Sequence, residues 1–243
     1  MKHIDINCDL GEGIGNDAQL MPYLSSCNVA CGGHAGNEQI MIETVELAKF
    51  HNTKIGAHPS FPDRENFGRL DMEISPRELT KVLVEQIELL STILSKRGLK
   101  LNHVKAHGAL YNKASVDEPT ANAIILAMTN FTDLKIYAPW KSVLAHVACN
   151  AKIDVMYEAF ADRNYNSDLT LVSRKLPNAL LHDPDEIATH VLRMIVDGKV
   201  KTVSHQEVNI KADTLCIHGD NPDALTIVKH LHKTLEKHDI RVS

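Results

Sequence analysis

Acidic and imidazole side chains occur in three segments of the sequence that are rich in small residues. Asp9 and Glu12 lie three positions apart on a glycine-rich turn, where they can present acid, base or metal-ligand oxygens. His34 and His58 each follow a short predicted strand, among residues that leave room for a ligand. Asp9, His34 and His58 together have the composition of an Asp-His-His metal site. These segments therefore offer proton transfer, metal binding or both.

A lysine and a histidine occupy alternate positions of a further extended segment. Lys105 and His107 are two residues apart, so an extended chain places their side chains on the same side. A lysine in a buried barrel strand needs an anionic partner or a ligand. A fixed cation beside a proton carrier can act together on a substrate carbonyl or phosphoryl group. We therefore expect this pair to be functional.

Charged residues also follow two later predicted strands. Glu158, Asp162 and Arg163 can either clamp a substrate or form a structural ion-pair network, and the sequence leaves both interpretations open. His218 and Asp220 follow the last predicted strand, beside a helix N-terminus that is suited to an anion. Asp220 can equally serve as the cap of that helix. None of the cysteines has an obvious neighbouring base, so none is interpreted as a nucleophile.

The elements that must position these residues are short strands separated by helices. The clearest helix begins with Ser75-Pro76-Arg77-Glu78, a capping box with proline in the first turn, and ends before Gly98. Two other helices are predicted to begin near Asp183 and near Asn221. Seven apolar or alternating runs are predicted to be strands, at residues 3–7, 27–30, 54–57, 103–105, 134–137, 153–157 and 213–217.

This alternation predicts a single α/β domain that spans residues 1–243. No long linker rich in proline, glycine or serine interrupts the sequence, and no repeat of 20 to 50 residues is visible. About seven strand–helix units suit a closed parallel β/α barrel better than an open sheet. In such barrels the functional side chains gather at the carboxyl ends of the strands, which is where the residues above occur.

Composition and charge exclude several classes of partner and site. The net charge of −5 gives no basic surface for nucleic acid or for an anionic membrane. The glycine-rich turn lacks the dinucleotide fingerprint because Asn16 stands where a third glycine is needed, and no Walker A motif occurs. The start of the chain lacks a signal-peptide pattern, and the longest apolar stretch is far too short to span a membrane. Five cysteines without a C-x-x-C pair indicate reduced thiols in the cytoplasm.

Seven short segments, taken together, resemble the LamB/YcsF family, and they follow the family's order over nearly the whole chain. The segments are NCDLGE (7–12), CGGHAG (31–36), GAHPS (56–60), FGR (67–69), HGALYN (107–112), FADR (160–163) and HGD (218–220). The resemblance implies a seven-stranded variant of the β/α barrel, similar to the glycoside hydrolase/deacetylase type. It also implies opening of 5-oxo-L-proline to L-glutamate, with ATP as the cosubstrate, accompanied by Mg²⁺, and with partner subunits B and C.

The chemistry implied by the resemblance suggests a role for each candidate residue. Phosphorylation of the lactam carbonyl oxygen would prepare the ring carbon for attack by water, and Asp9 or His58 is expected to position or deprotonate that water. Lys105 and His107 are expected to stabilise the charge that develops on the former carbonyl oxygen. The substrate carboxylate is expected to bind Arg163 or Arg174. Further substrate contacts are expected from eight polar residues: Glu12, His34, Asp63, Arg64, Glu158, Asp162, His218 and Asp220.

Two other functions remain open on the sequence. A metal-dependent amidase or deacetylase without ATP would use Asp9, His34 and His58 as metal ligands and a metal-bound water as the nucleophile. A non-catalytic subunit would bind 5-oxoproline while its partners perform the chemistry. The identity of any metal bound in the barrel is left unspecified.

Overall fold

Strands and helices alternate along residues 2–243, the part of the chain that the computed structural model describes. Each of the seven predicted strands is present, and three short strands were not predicted. The ten strands are β1 (Lys2–Leu10), β2 (Ser26–Ala30), β3 (Lys54–His58), β4 (His103–Val104), β5 (Lys135–Pro139), β6 (Val155–Phe160), β7 (Lys199–Lys201), β8 (Glu207–Asn209), β9 (Thr214–Ile217) and β10 (Ile240–Val242).

Seven of these strands form a closed parallel barrel in the order β1-β2-β3-β4-β5-β6-β9. Strand β1 closes the barrel because it pairs with β2 on one side and with β9 on the other, so that Cys8 lies opposite both Cys27 and Ile217. Strand β10 pairs with the first residues of β1, and β7 and β8 form a separate antiparallel hairpin. The predicted fold class, a single-domain seven-stranded β/α barrel, is confirmed.

The helices lie around the barrel and connect its strands. None of those within residues 2–243 combines the length and the apolar character that crossing a lipid bilayer requires. They are α1 (Asp17–Leu20), α2 (Glu38–His51), α3 (Pro76–Ser95), α4 (Gly108–Ala114), α5 (Glu118–Met128), α6 (Val143–Asn150), α7 (Pro184–Leu192) and α8 (Ala224–Lys237).

The predicted helix starts are confirmed where a side-chain cap defines them. The Ser75 side chain accepts a hydrogen bond from the Glu78 amide at the start of α3, and Asp183 caps α7 in the same manner. The prediction for the last helix is wrong by three residues. Asn221 and Pro222 lie in a turn, in which Asn221 Oδ1 accepts from the amide of Asp223, and α8 begins only at Ala224.

The alternation of side chains along β1 separates an apolar outer face from a polar barrel interior. Ile4, Ile6 and Cys8 are buried in the hydrophobic core cluster, whereas Asp5 and Asn7 make hydrogen bonds across the barrel. Successive residues of a strand point to opposite faces, so the sequence pattern of β1 directly produces this division. The barrel therefore offers a polar lining along which charged groups can be held.

A glycine on β3 makes room for one member of this polar lining. The ring of His103 stacks on Tyr137 with 3.9 Å between centroids, and its Nε2 lies 2.7 Å from Asn28 Oδ1. A β-carbon added to Gly56 would lie only 2.1 Å from His103 Nε2. Gly56 is thus required for the imidazole to lie across the barrel beneath the candidate site.

Candidate active site at the carboxyl ends of the barrel strands

A cavity of about 920 Å³ opens at the carboxyl ends of the barrel strands. This location agrees with the position of active sites in β/α barrels. Four of the fourteen predicted site residues do not line the cavity, namely His34, Asp63, Arg64 and Asp162. The ten that line it are Asp9, Glu12, His58, Lys105, His107, Glu158, Arg163, Arg174, His218 and Asp220.

Lys105 is a buried cation at the base of this cavity. Its Nζ lies 2.9 Å from Asp9 Oδ1, 2.9 Å from Glu158 Oε1 and 3.0 Å from Cys216 Sγ, and the residue is 2% exposed. Burial opposes its charge, but Asp9, Cys216 and Glu158 together raise the pKa of Lys105 well above its usual value. The three ammonium hydrogens therefore already have partners within the protein.

Asp9 joins Lys105 to the histidines of the cavity. Its Oδ1 accepts hydrogen bonds from Asn28 Nδ2 at 2.8 Å and from Lys105 Nζ, and its Oδ2 lies 3.3 Å from His58 Nε2. Burial alone would raise the pKa of Asp9, but His58 and then Lys105 lower it well below its usual value. Asp9 is consequently a carboxylate at neutral pH.

Backbone carbonyl groups determine which nitrogens of two histidines carry hydrogen. His58 Nδ1 lies 2.7 Å from the carbonyl oxygen of Lys105, and His107 Nε2 lies 2.9 Å from that of Phe67. A carbonyl oxygen can only accept a hydrogen bond, so both of these nitrogens donate. In neutral rings the lone pairs are then on His58 Nε2 and His107 Nδ1, which are 3.0 Å apart.

Glu12 and His34 complete the cluster beside these two rings. Glu12 Oε1 lies 3.1 Å from His34 Nε2 and 3.5 Å from His107 Nδ1, and the ring of His34 stacks on His107 at 3.6 Å. Burial, followed by Asp9, raises the pKa of Glu12 to about 8. Burial, followed by the neighbouring His58, lowers the pKa of His34 to about 2.

The four side chains that converge most closely differ from the predicted metal triad. Ligand atoms of Glu12, His34, His58 and His107 all lie within 4.8 Å of one another. This group contains His34 and His58 of the predicted set, together with Glu12 and His107 instead of Asp9, and the set of Asp9, His34 and His58 stays a prediction. Oδ1 of Asp9 is bound by Lys105 and Asn28, while its Oδ2 lies 3.3 Å from His58 Nε2.

A histidine–aspartate pair forms another part of the site. His218 lines the cavity, and its Nδ1 lies 2.8 Å from Oδ1 of Asp162. Asp162 is fully buried and also accepts a hydrogen bond from Asn221 Nδ2. Burial would raise the pKa of Asp162, but His218 lowers it below its usual value. Asp162 lies behind His218 and does not line the cavity, so that its predicted contact with the substrate stays a prediction.

Arginines from two loops meet Asp220 at the mouth of the cavity. Arg69 and Arg174 both pair with Oδ2 of Asp220. Arg163 is more deeply buried, donates from Nη2 to the Val172 carbonyl at 2.7 Å, and leaves its buried Nε without a partner among residues 2–243. Arg69 was missed as a site residue, although it ends the FGR segment that had been singled out.

Asp63 and Arg64 lie outside the cavity and stabilise the loops that follow β2 and β3. Arg64 Nη1 donates to the carbonyl oxygens of Gly32 and Gly36, at 2.9 Å each. Asp63 Oδ1 accepts from the backbone and side-chain nitrogens of Asn66. Asp63 and Arg64 are thus not brought to the cavity, and substrate contact by these two residues stays a prediction.

Comparison with known proteins identifies the family to which this chain belongs. The sequence model of the LamB/YcsF family matches residues 4–243. The chain belongs to the LamB/YcsF family. A family relative from Shouchella clausii (strain KSM-K16), which is named as a subunit of 5-oxoprolinase, is 45% identical over 248 aligned residues, which cover 100% of this chain and 98% of that protein.

Solved structures agree with this assignment. A lactam utilization protein from Thermus thermophilus superposes with a TM-score of 0.93 and 41% identity, covering 100% of this chain and 99% of the other. A family 4 carbohydrate esterase from Streptomyces lividans superposes with a TM-score of 0.51 and 10% identity, covering 100% of this chain and 92% of the other. The second likeness concerns the fold alone, and it agrees with the deacetylase-type barrel predicted for the LamB/YcsF chain.

Proposed function

We propose that this chain is one subunit of an ATP-dependent 5-oxoprolinase, which opens the ring of 5-oxo-L-proline to give L-glutamate. The observation that carries the proposal is the convergence of Lys105, Asp9 and His218 with the histidine cluster on one cavity. Full-length relatives that are named as 5-oxoprolinase subunits support the choice of substrate.

The proposed reaction breaks the carbon–nitrogen bond of a five-membered lactam. ATP transfers its terminal phosphoryl group to the carbonyl oxygen, and a water oxygen then bonds to the ring carbon. The carbon–nitrogen bond breaks as the nitrogen takes a proton, which leaves a γ-glutamyl phosphate. A second water converts this acyl phosphate to glutamate and inorganic phosphate. The site must therefore activate water, supply a proton to nitrogen and stabilise negative charge.

His218 has the geometry of the proton carrier in this reaction. Because Asp162 holds the hydrogen of Nδ1, the lone pair of neutral His218 is on Nε2. Nε2 can accept a proton from the attacking water and return it to the ring nitrogen, while Asp162 stabilises the imidazolium formed in between. Asp9 is then left to position the water through Oδ2, since its Oδ1 is already bound by Lys105 and Asn28.

Lys105 contributes positive potential rather than a direct hydrogen bond to the substrate. Nζ donates hydrogen bonds to Asp9, Asn7 and Cys216 and also lies 2.9 Å from Glu158 Oε1, so no ammonium hydrogen is free for the former carbonyl oxygen. A fixed buried cation still stabilises negative charge that develops nearby. His107 does not donate from Nδ1 when its ring is neutral, because Nε2 carries the hydrogen and donates to Phe67.

Arg163 is the best candidate for the carboxylate of 5-oxoproline. Arg69 and Arg174 both pair with Asp220, whereas the salt bridges among residues 2–243 include none to Arg163. Burial, followed by Arg174, lowers the pKa of Arg163 to about 10, which leaves the guanidinium charged at neutral pH. Arg163 lines the cavity, where its guanidinium can make a charge-assisted hydrogen bond to the carboxylate.

The proposed enzyme uses ATP together with Mg²⁺, and this chain acts in it with partner subunits B and C. The sequence has no Walker A motif, so we place the phosphoryl donor on a partner or at a shared interface. The relatives are named as subunits of an enzyme, and this supports an assembly of several chains. We also propose a cytoplasmic location, which suits the five cysteines, all of which are free.

The test measures glutamate formed from 5-oxoproline by the purified chain, alone and with subunits B and C, each with and without ATP. We expect glutamate only when ATP and both partners are present. Arg163→Met should raise KM for 5-oxoproline, while Arg97→Met, at a half-exposed arginine that pairs with Glu46, serves as the matched control. Glutamate formation without ATP, or none in the complete mixture of folded subunits, would contradict the proposal.

A further inference from the structure

We propose that Glu12, His34, His58 and His107 form a binding site for one first-row divalent transition metal ion, with Zn²⁺ as the best match. The inference concerns ion binding by this chain alone. It therefore stands or falls independently of the lactam reaction, which requires partner subunits.

The first argument is the meeting of two lone pairs. The carbonyl groups of Lys105 and Phe67 occupy the N–H groups of His58 and His107, so each neutral ring presents a bare nitrogen to the other. These nitrogens are 3.0 Å apart, and Oδ2 of Asp9 lies 3.3 Å from one of them. Acceptor atoms at such distances repel unless a positive charge lies between them. A metal ion supplies that charge and uses both lone pairs.

The second argument is the spacing of the ligand atoms. Zn–N bonds of 2.0–2.1 Å in a tetrahedron place neighbouring ligand atoms about 3.3 Å apart. Three pairs in the cluster are close to this value, namely His58–His107 at 3.0 Å, His34–Glu12 at 3.1 Å and His107–Glu12 at 3.5 Å. All four ligand atoms lie within 4.8 Å of one another. Small side-chain rotations therefore suffice to surround one ion.

The third argument is the support behind the ligands. Histidines that bind a metal usually donate their second N–H to a carboxylate or a backbone carbonyl, which fixes the ring and its tautomer. His58 and His107 both have such a carbonyl partner. Gly68 follows Phe67, whose carbonyl oxygen is the partner of His107. Its φ is +61°, and a β-carbon at this position would lie 2.9 Å from His34 Cβ and 3.0 Å from His107 Cδ2, so a glycine is required beside these two rings.

The donor set also indicates the class of metal. Three imidazoles and one carboxylate suit Zn²⁺ and its neighbours in the first transition row, whereas Mg²⁺ and Ca²⁺ prefer oxygen ligands alone. His34 and His107 are buried, which protects a bound ion from competing solvent. Asp9 stands outside the set, since Lys105 and Asn28 hold one of its oxygens, but it can orient a water bound to the ion.

The experiment uses the full chain after removal of metal by a chelator. Calorimetric titration with Zn²⁺ should show one ion per chain, and Co²⁺ should give the visible absorption of a four-coordinate nitrogen and oxygen site. His107→Gln and Glu12→Gln should each lower the Zn²⁺ affinity by more than about 100-fold, beyond the loss expected for an outer-sphere partner. Asp9→Asn should lower it by no more than about 100-fold. His146→Gln, at an exposed histidine on α6, is the matched control and should change nothing.

Several outcomes would overturn the inference. One is the absence of stoichiometric Zn²⁺ uptake by the wild-type chain, which would mean that a proton separates the two nitrogens. Another is unchanged affinity in both ligand variants, or loss of binding in Asp9→Asn with retention in Glu12→Gln. If the ligand variants do not fold, X-ray absorption of the Zn²⁺-loaded wild type decides the matter. We expect only nitrogen and oxygen neighbours at about 2.0 Å, and a shell containing sulfur would refute the site.

Discussion

Replacing Lys105 by methionine tests whether the buried cation holds the site together. Lys105 is 2% exposed, and its charge faces the carboxylates of Asp9 and Glu158, each 2.9 Å from Nζ. Methionine nearly preserves the volume but leaves both carboxylates without their shared cation. Removal of one partner from a buried ion pair destabilises a protein by about 3–5 kcal/mol. We expect Lys105→Met to lower the free energy of unfolding by that amount at pH 7.

The same reasoning predicts a partial rescue and a pH dependence. Adding Glu158→Gln to Lys105→Met removes one stranded carboxylate, so the double variant should recover about half of the loss in stability. Without Lys105 the two carboxylates are buried without their shared cation, and burial disfavours the charged form of a carboxylate. The native state then binds more protons than the unfolded state, and the stability of Lys105→Met should rise as the pH falls from 7 toward 5.

Urea denaturation followed by far-UV circular dichroism measures these differences. Lys113→Met is the matched control, because that lysine pairs with Asp71 at the surface and should contribute less than about 1 kcal/mol. Wild-type stability of Lys105→Met at pH 7 would refute the argument. So would a double variant that is no more stable than Lys105→Met, since stranded charge would then not be the cause of the loss.

Three further predictions concern other parts of the barrel. Asp162→Asn should reduce kcat of the reconstituted complex by at least about 100-fold, because His218 loses the carboxylate that orients its ring. The stability of the chain should change little. An unchanged kcat would show that His218 is not the proton carrier. Gly56→Ala should destabilise the chain by about 3 kcal/mol or more in urea titrations, since the new β-carbon collides with His103. Burial lowers the pKa of His190 to about 4, so this residue should remove up to about 3 kcal/mol of stability as the pH falls from 6.5 to 4. Because buried His34 also removes stability over this range, His190→Gln should still lose stability in urea titrations, but by that amount less than the wild type; an equal loss in both chains would refute the assignment.

Local sequence patterns were sufficient to predict the elements of this fold. The alternation of apolar and polar residues in β1 and the caps at Ser75 and Asp183 act over a few positions, so they can be recognised without knowledge of the rest of the chain. The start of α8 was misplaced because Asn221 satisfies the amide of Asp223 in a turn before the helix. A cap and a turn use the same residue types, and only the backbone conformation distinguishes them.

The predicted site residues were placed well where strand ends alone determine position. Asp9, His58 and Lys105 reach the cavity because each lies on or directly after a parallel strand, and those ends meet at one face of a barrel. Asp63 and Arg64 follow β3 at a greater distance along the chain. They do not line the cavity, and instead Arg64 bonds to the loop after β2 while Asp63 bonds within its own loop.

The sequence by itself determined which residue types stand at the carboxyl ends of the strands, because that depends on local periodicity. Only the tertiary structure decided how they group. Glu12 rather than Asp9 joins the three histidines, and Asp162 stands behind His218 instead of facing the cavity. Lys105 and Asp9 are 96 positions apart in the chain, yet their charged atoms are 2.9 Å apart. Such pairings depend on the register of seven strands and on the closure of β1 against β9, to which every strand contributes.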